Sequence, residues 1–400
     1  MHGHRAGYYR LALILGAQTA MGPLAIDTYL PALPTITREF ATTSGAVQLS
    51  LSLYFIGIAL GQAIYGPLSD RHGRRPPLFV GLALFVVGSL GCALAPNVGT
   101  LIVFRFVQAL GGCAPLVIPR AIVRDLFDER DSVTMLSVLM LVMGLAPILA
   151  PLVGGQMLQY LGWRSIFWAY VAYGTILLVV VAVALEESLP DSRRTRQPLG
   201  AVLQTYGRLL SDWRYMGYVL AGGLVFAGLL AYIAGSPFIF IELYGISPQR
   251  FGFYFGSNAI GIIGASQVNR LLVHRYTARE ILQAVLWITA TASAGLLLGG
   301  YSNYAGLTGI IVPLWFFIAM HGIVSPNTTA LAMNPYGAVA GSASALLGTI
   351  QFGLGAASGA LIGAMANGTA RPFVSVLAGC GFGAFVLFRL TRTTVTSTAR

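Results

Sequence analysis

Asp27 is the residue of this 400-residue chain whose position is hardest to explain by a purely structural role. It lies in the string Ala25-Ile-Asp-Thr-Tyr-Leu-Pro31 and is the only acidic residue deep inside an apolar segment. An uncompensated charge at the centre of a bilayer costs about 2.5–3.5 kcal/mol on translocon scales, so such residues are rare and mark substrate or ion paths. We therefore expect the function to depend on Asp27.

The composition indicates a membrane protein. The chain is 56% hydrophobic and only 9% charged, whereas a soluble domain carries about 25% charged residues. Its mean hydropathy is +0.75. A spanning helix needs about 20 apolar residues, and twelve segments meet that length, so we predict an all-α protein with twelve transmembrane helices. The predicted spans are 11–33, 45–66, 77–95, 98–122, 132–158, 163–185, 214–240, 251–272, 280–300, 304–328, 336–365 and 370–390.

The basic residues orient these spans. All 24 are arginine, and the sequence contains no lysine. If both termini are cytoplasmic, eighteen arginines lie inside and only four lie outside, which the positive-inside rule favours. The four are Arg38, Arg164, Arg250 and Arg371. The net charge of +11 therefore reflects topology, and we expect no nucleic-acid partner.

One long polar interruption divides the chain. Six spans precede it and six follow, so we predict a first half over 1–185, a cytoplasmic linker over 186–213 and a second half over 214–400. Within the linker, residues 199–210 have the pattern of a short helix lying on the membrane surface. Two six-span halves are typical of parallel-repeat transporters.

The most specific string is Gly66-Pro-Leu-Ser-Asp70-Arg-His-Gly73-Arg74-Arg75, between the second and third spans. Gly66 would allow close helix approach, Gly73 a tight turn, and Asp70 could pair with arginines or cap a helix. The string resembles the signature loop of the major facilitator superfamily, G-x-L-x-D-R-x-G-R-R. That resemblance implies a role for Gly66, Asp70, Gly73 and Arg74 in conformational gating.

A second resemblance concerns the fourth span. Arg105-Phe-Val-Gln108-Ala109 is similar to the R-x-x-Q-G motif of the same superfamily, with Ala109 in place of glycine. Arg105 and Asp27 lie at depths that agree within about 5 Å, so they could form a breakable pair. Competition for the Asp27 carboxylate would then couple proton movement to substrate movement. Alternatively, Arg105 is a static strut paired with Asp27 or with carbonyl groups.

The fifth span carries two prolines, Pro147 and Pro151, and the small residues Gly154 and Gly155. This pattern predicts a kinked helix that packs closely on its neighbours. The string Ala150-Pro-Leu-Val-Gly-Gly resembles the antiporter motif of drug-exporting facilitators, G-P-x-x-G-G, which implies a gating role for these residues and favours export.

Two further stretches narrow the resemblance. The string around Asp27 and the string Pro335-Tyr-Gly-Ala-Val-Ala-Gly341 through Gly348 are similar to the Bcr/CflA branch, the bicyclomycin and chloramphenicol resistance exporters. The resemblance implies proton-driven efflux of small drugs, sulfonamides among them, across the bacterial inner membrane. We expect a functional monomer with no cofactor beyond the proton gradient.

Polar and aromatic residues that lie within the predicted spans are the candidates for lining the drug-binding cavity. The predicted substrate-binding residues are Asp27, Tyr29, Tyr54, Gln108, Tyr232, Tyr254, Asn258 and Gln351. The roles of two others stay open. His321 is either a packing residue or a second proton carrier, and Arg120 either snorkels to the membrane surface or contacts anionic groups at the inner mouth.

Other functional classes fit the sequence less well. The chain has no H-E-x-x-H string, paired intramembrane carboxylates, nucleophile elbow or P-loop, which disfavours a polytopic membrane enzyme. It also lacks the repeated ring of charge typical of a channel. The main alternative is a proton-coupled importer of a small nutrient.

Overall fold

The computed structural model describes residues 2–194, 199–302 and 304–397, and within these ranges the chain is helical with no strand. Residues 195–198 of the predicted linker lie outside the described residues. The helices before the linker are α1 (His2–Asp27), α2 (Leu33–Glu39), α3 (Ser44–His72), α4 (Arg75–Ala93), α5 (Val98–Gly112), α6 (Ala114–Leu126), α7 (Glu129–Leu161) and α8 (Arg164–Ala184).

The second half repeats this all-helical arrangement. The helices from the linker onward are α9 (Leu199–Ser211), α10 (Trp213–Pro237), α11 (Pro248–Leu272), α12 (Ala278–Ser302), α13 (Thr308–Met333), α14 (Ala340–Ala364) and α15 (Arg371–Ser397). Short 3₁₀ segments cover Leu30–Ala32, Asp191–Arg193 and Asn334–Val339, and a π-helical turn covers Phe238–Leu243. The linker helix predicted over 199–210 is confirmed as α9.

Eleven stretches of the described chain are long and apolar enough to cross a membrane. They match eleven of the twelve predicted spans. The remaining one, predicted over 251–272, is α11, a 25-residue helix with the length of a span but a lower hydropathy. It packs between α7 and α13, so its neighbours in the bundle cover much of its surface.

Two of the spans are interrupted near the predicted functional residues. The first span stops being α-helical at Asp27, continues as the 3₁₀ turn Leu30–Ala32 and resumes as α2. Pro31 and Pro34 explain the break, because proline has no N–H for the carbonyl four residues before it. The fourth span is divided at Cys113 into α5 and α6, with Pro115 in the first turn of α6.

The helices pack within each half and along two seams between the halves. In the first half, α4 packs on α5 and α8, and α1 packs on α6 and α7. In the second half, α10 packs on α13, α14 and α15, and α12 packs on α13 and α15. The seams between the halves are α3 against α14 and α7 against α11.

These seams are tight at one end of the bundle and open at the other. We call the end with the loops 40–43 and 244–247 the far end, and the end with 73–74 and 185–194 the linker end. At the far end, a Cβ on Gly45 would overlap the Gly363 carbonyl, and one on Gly155 would lie 2.8 Å from the Pro248 oxygen. Contacts across the seams continue as far as Gln62 with Gly348 and Ile263 with Gly144. Beyond them, toward the linker end, a Cβ on Gly66, Gly264 or Gly341 would meet no atom within 4 Å. The halves are therefore closed together at the far end and separate toward the linker end.

Candidate functional site

Asp27 lies where the first span changes from α-helix to 3₁₀ turn. Its side chain is 3% exposed. Among the described residues the carboxylate has no hydrogen-bond or ion-pair partner. The 3₁₀ turn that begins three residues later contacts α10 and α11 of the second half. Asp27 therefore lies beside the junction of the two halves, with a carboxylate that is free to take a proton or a ligand.

Arg105 lies at the depth predicted for it but does not pair with Asp27. Its Nη1 donates to the Ala25 carbonyl at 3.1 Å and to Oε1 of Gln108 at 2.5 Å. The predicted ion pair with Asp27 is not formed in this conformation. Contacts to a carbonyl group correspond to the static alternative that the sequence left open.

Three aromatic rings hold the Arg105 guanidinium in place. Its central carbon lies 4.1 Å from the Tyr54 ring centre, 4.7 Å from that of Tyr29 and 5.9 Å from that of Phe167. Cation–π attraction at a buried position contributes about 2 kcal/mol or more, which offsets part of the cost of burial. The side chain is 0% exposed, and its Nε and Nη2 have no partner among the described residues. Arg105 is thus a buried cation with two unused donor groups.

The other predicted substrate-binding residues of the first half also surround Arg105. We call the group formed by Tyr29, Tyr54, Phe167 and Gln108 the Arg105 cage. Gln108 accepts from Arg105 and donates to Oγ of Ser89 at 2.7 Å, and the Tyr29 hydroxyl lies 3.0 Å from Oγ of Ser50. Tyr29, Tyr54 and Gln108 are all 0% exposed. In this conformation they are placed to hold Arg105 and are closed to direct contact with a substrate.

The predicted residues of the second half form a separate polar wall. Asn258 donates through Nδ2 to the Tyr232 hydroxyl at 3.0 Å and to the Tyr254 carbonyl at 3.1 Å. Its Oδ1 is buried and has no partner among the described residues. Tyr232 stacks on Phe255 with ring centres 5.3 Å apart. Tyr254 is half-buried, so this wall, unlike the Arg105 cage, is partly open. Gln351 is also half-buried but lies near Gly223 of α10, and no contact with the wall is described for it.

His321 joins a row of rings that crosses between the halves. Its ring lies 5.5 Å from Phe226, which lies 5.1 Å from Phe352, which in turn lies 6.4 Å from Phe55 of the first half. Its Nδ1 is buried without a partner in the described chain. The ring contacts fit the packing alternative for His321, and the proton-carrier alternative stays open. Arg120 is exposed, and its Nη2 lies 3.8 Å from Sδ of Met143.

The signature loop forms a charge cluster at the linker end. Arg74 pairs with Asp70, as predicted, and its Nε lies 2.7 Å from Oδ2 of Asp125. Burial alone would lower the pKa of the Arg74 guanidinium, but hydrogen bonds to Asp125 and Asp70 raise it above its ordinary value. Gly73 ends α3 with a φ of +91°, a conformation that favours glycine. The prediction that Gly66 allows close helix approach is wrong here, because a Cβ at that position would meet nothing within 4 Å.

The glycines of the fifth span do lie at close contacts. A Cβ on Gly154 would overlap the carbonyl of Thr28, the residue after Asp27. The neighbouring Gly155 faces Pro248 across the seam between the halves. Pro147 and Pro151 lie inside α7, which runs without interruption for 33 residues.

Several residues of the site carried no signal in the sequence. Phe167 and Ser89 contact the Arg105 cage, yet one aromatic ring and one hydroxyl within an apolar span are common. Asp125 was overlooked because it lies just beyond the predicted fourth span, which ended at 122. Its position at the same end of the bundle as the signature loop could have indicated a partner for Arg74.

Comparison with known proteins adds relatives along nearly the whole chain. An MFS-type transporter, YdgK, of Bacillus subtilis strain 168 is 37% identical over 388 residues, covering 96% of this chain and 95% of the relative. A bicyclomycin resistance protein homolog of Haemophilus influenzae is 28% identical, covering 92% of each chain. A chloramphenicol resistance protein of Pseudomonas aeruginosa is also 28% identical, covering 90% of this chain and 86% of that one. The resemblance to the Bcr/CflA branch is confirmed.

Solved structures agree on the fold. The nucleoside transporter NupG superposes with a TM-score of 0.75 at 12% identity, covering 97% of this chain and 99% of that one. A D-xylose-proton symporter superposes with a TM-score of 0.73 at 14% identity, covering 96% and 97%. At such identities the likeness concerns the fold alone. Since residues 15–360 match the family model of the Major Facilitator Superfamily, and the relatives match along the same length, this chain belongs to that superfamily of transporters.

Proposed function

We propose that this protein exports small drugs from bacteria in exchange for protons, by alternating access between its two halves in the inner membrane. The observation that carries the proposal is the Asp27 carboxylate, which is buried beside the junction of the halves and has no partner among the described residues. Relatives named for resistance to bicyclomycin and chloramphenicol support drugs of this kind as the substrates.

The proposed orientation places the linker end in the cytoplasm. The arginine distribution supports it, because basic residues are retained on the cytoplasmic side. With that orientation, the conformation described here is open to the cytoplasm and closed to the outside. An exporter in this state is ready to receive its drug.

In the proposed cycle, Asp27 exchanges a proton for a contact with Arg105. The unused Nε and Nη2 of Arg105 are buried donors, and a buried donor without a partner costs about 1–3 kcal/mol. Movement of Asp27 toward them would satisfy both groups and release the proton, since a carboxylate that pairs with a guanidinium is held in its charged form. Movement away would restore the neutral acid. The cage supplies a fixed cation, and Asp27 is the mobile, titratable partner.

The drug would bind between Asp27 and the polar wall of the second half. Tyr254 and Gln351 are partly open, and Oδ1 of Asn258 is an unused acceptor. The Tyr232 hydroxyl accepts a hydrogen bond from Asn258 and so holds it in place. A site with aromatic faces, a few amides and one carboxylate suits varied amphiphilic molecules.

The test uses inverted membrane vesicles and purified protein. Addition of chloramphenicol or bicyclomycin should dissipate an imposed proton gradient, whereas sugars and amino acids should not. Asp27→Asn should abolish this response while the purified protein still binds drug, because asparagine keeps the size of the side chain but carries no exchangeable proton. Gradient dissipation by a sugar or amino acid would instead indicate the nutrient importer. Normal coupling in Asp27→Asn would move the proton site elsewhere, with His321 next to be tested.

A further inference from the structure

The first residues of the linker lie against the signature loop. Glu187 follows the end of α8 by three residues, and its carboxylate accepts the backbone N–H of Arg74 at 2.8 Å and of Arg75 at 3.1 Å. Because α4 begins at Arg75, these are donors that the start of the helix leaves free, and a negative charge is favoured there. Oε1 of Glu187 also accepts the N–H of Leu189 at 3.0 Å. One carboxylate thus joins the start of α4 to the start of the linker.

The opposite contact completes a reciprocal cap. The Arg75 guanidinium donates to the Val181 carbonyl at 3.3 Å and to the Ala182 carbonyl. Both carbonyl groups belong to the last turn of α8, where a cation satisfies free acceptors. Glu187 therefore caps α4 from the end of α8, and Arg75 caps α8 from the start of α4.

Gly73 is part of the same contact. A Cβ at this position would lie 2.8 Å from Cδ of Glu187, in addition to being strained by the positive φ. The glycine of the signature loop therefore serves two needs, the turn itself and the space that the Glu187 carboxylate occupies. A side chain here would push Glu187 off the amides of Arg74 and Arg75.

A second contact ties the linker to the charge cluster. Oγ of Ser188 donates to Oδ2 of Asp125 at 3.3 Å, and Asp125 is an ion-pair partner of Arg74. Every partner described for Asp70, Arg74 and Glu187 lies in the first half or at the start of the linker. In this conformation, with the linker end open, the signature loop is held entirely on the first half.

We propose that Glu187 is a positioning residue, which holds the signature loop on the first half and so makes the linker part of the gate. The loop must leave or tilt from this position for the halves to meet at the linker end. The effect of Glu187 on transport rests on the proposed function, whereas its effect on the loop does not.

The experiment uses the purified full-length protein with a spin label at Arg71, an exposed residue with no partner in the described chain. Glu187→Ala should make the label more mobile. Glu186→Ala is the matched control, because Glu186 is exposed, adjacent, equally charged and without a contact among the described residues. A label at Leu94, at the far end, should not change in either variant. In transport, Glu187→Ala should lower the maximal rate about fivefold, the size expected from a lost helix cap, with little change in drug binding.

A double-mutant cycle is the second part of the experiment on Glu187. Because Gly73→Ala acts partly by displacing Glu187, its effect on label mobility should be smaller in the Glu187→Ala background, while with Glu186→Ala the effects should add. Glu187→Gln keeps one acceptor oxygen and should lie between wild type and Glu187→Ala.

Equal label mobility in Glu187→Ala and Glu186→Ala would refute the proposal. So would a change at Leu94 as large as that at Arg71, since this would mean general destabilisation. If Glu187→Ala frees the loop but the wild type exchanges no drug for protons, the positioning role stands and the proposed function fails.

Discussion

Gly155→Ala is expected to weaken the closure of the far end. The added methyl would lie 2.8 Å from the Pro248 oxygen and 3.2 Å from the Gln249 Cα, and both are backbone atoms that cannot rotate away. Overpacking of this kind costs about 1–3 kcal/mol. Since the two residues lie in different halves, separation of the halves would relieve the overlap. The equilibrium between conformations should shift by roughly 5- to 150-fold toward an open far end.

Gly256→Ala is the matched control for this prediction. Gly256 lies on the same seam, but its added methyl would be 3.5 Å from the nearest atom, Cγ2 of Ile148, which is ordinary contact. The measurement is the distance distribution between spin labels at Leu94 and Tyr304, exposed residues of the first and second halves. Gly155→Ala should populate longer distances and Gly256→Ala should resemble wild type. Identical distributions in the two variants would refute the view that this glycine contact holds the far end closed.

Three further predictions concern the cage, the topology and the signature loop. Arg105→Lys keeps the charge but loses the planar group that three rings surround, so the purified protein should lose about 2 kcal/mol of stability in thermal unfolding; an unchanged midpoint would contradict the cage. A cysteine at Asn97 should react with an impermeant reagent added to intact cells and one at Arg193 should not, and the reverse pattern would invert the proposed orientation. Asp70→Asn removes an ion-pair partner of Arg74 and should slow transport far more than it weakens drug binding, whereas equal losses would indicate misfolding.

The sequence predicts the architecture well because the bilayer imposes simple rules. Apolar length alone located the spans, and the short helix predicted within the polar interruption is present as α9. Helix α11 is the exception to the rule that apolar length marks a span. Residues 248–272 include Gln249, Arg250 and Asn269, which lower the hydropathy, yet the helix is kept in the bundle by packing on α7 and α13.

The site was harder to predict because the sequence does not show how each helix is rotated about its own axis. Residue spacing placed Arg105 and Asp27 at one depth, and the bond from Arg105 to the Ala25 carbonyl agrees with that depth. It did not reveal that the guanidinium turns toward Tyr29 and Tyr54 instead of toward Asp27. The direction in which the Arg105 guanidinium turns depends on the aromatic rings that neighbouring parts of the chain place around it. Their positions are set by tertiary packing.

Short strings with fixed geometry were more informative than isolated polar residues. Gly73 was predicted to make a tight turn and has a φ of +91°. Asp70 was predicted to pair with arginines or to cap a helix, and it pairs with Arg74, four residues later. The role of Gly66 was predicted from its size alone, and size indicates close packing only where a neighbour is present.

Two adjacent glycines connect the proton site to the far-end closure. Gly154 packs on the carbonyl of Thr28, next to Asp27, within the first half, and Gly155 packs on Pro248 across the seam. Both contacts are between backbone atoms, which are close-packed and yield little. A separation of the halves at Pro248 therefore changes the surroundings of α7 within one residue of its contact with Thr28. In the proposed cycle, the far-end contact and the residue next to Asp27 therefore meet α7 at adjacent positions.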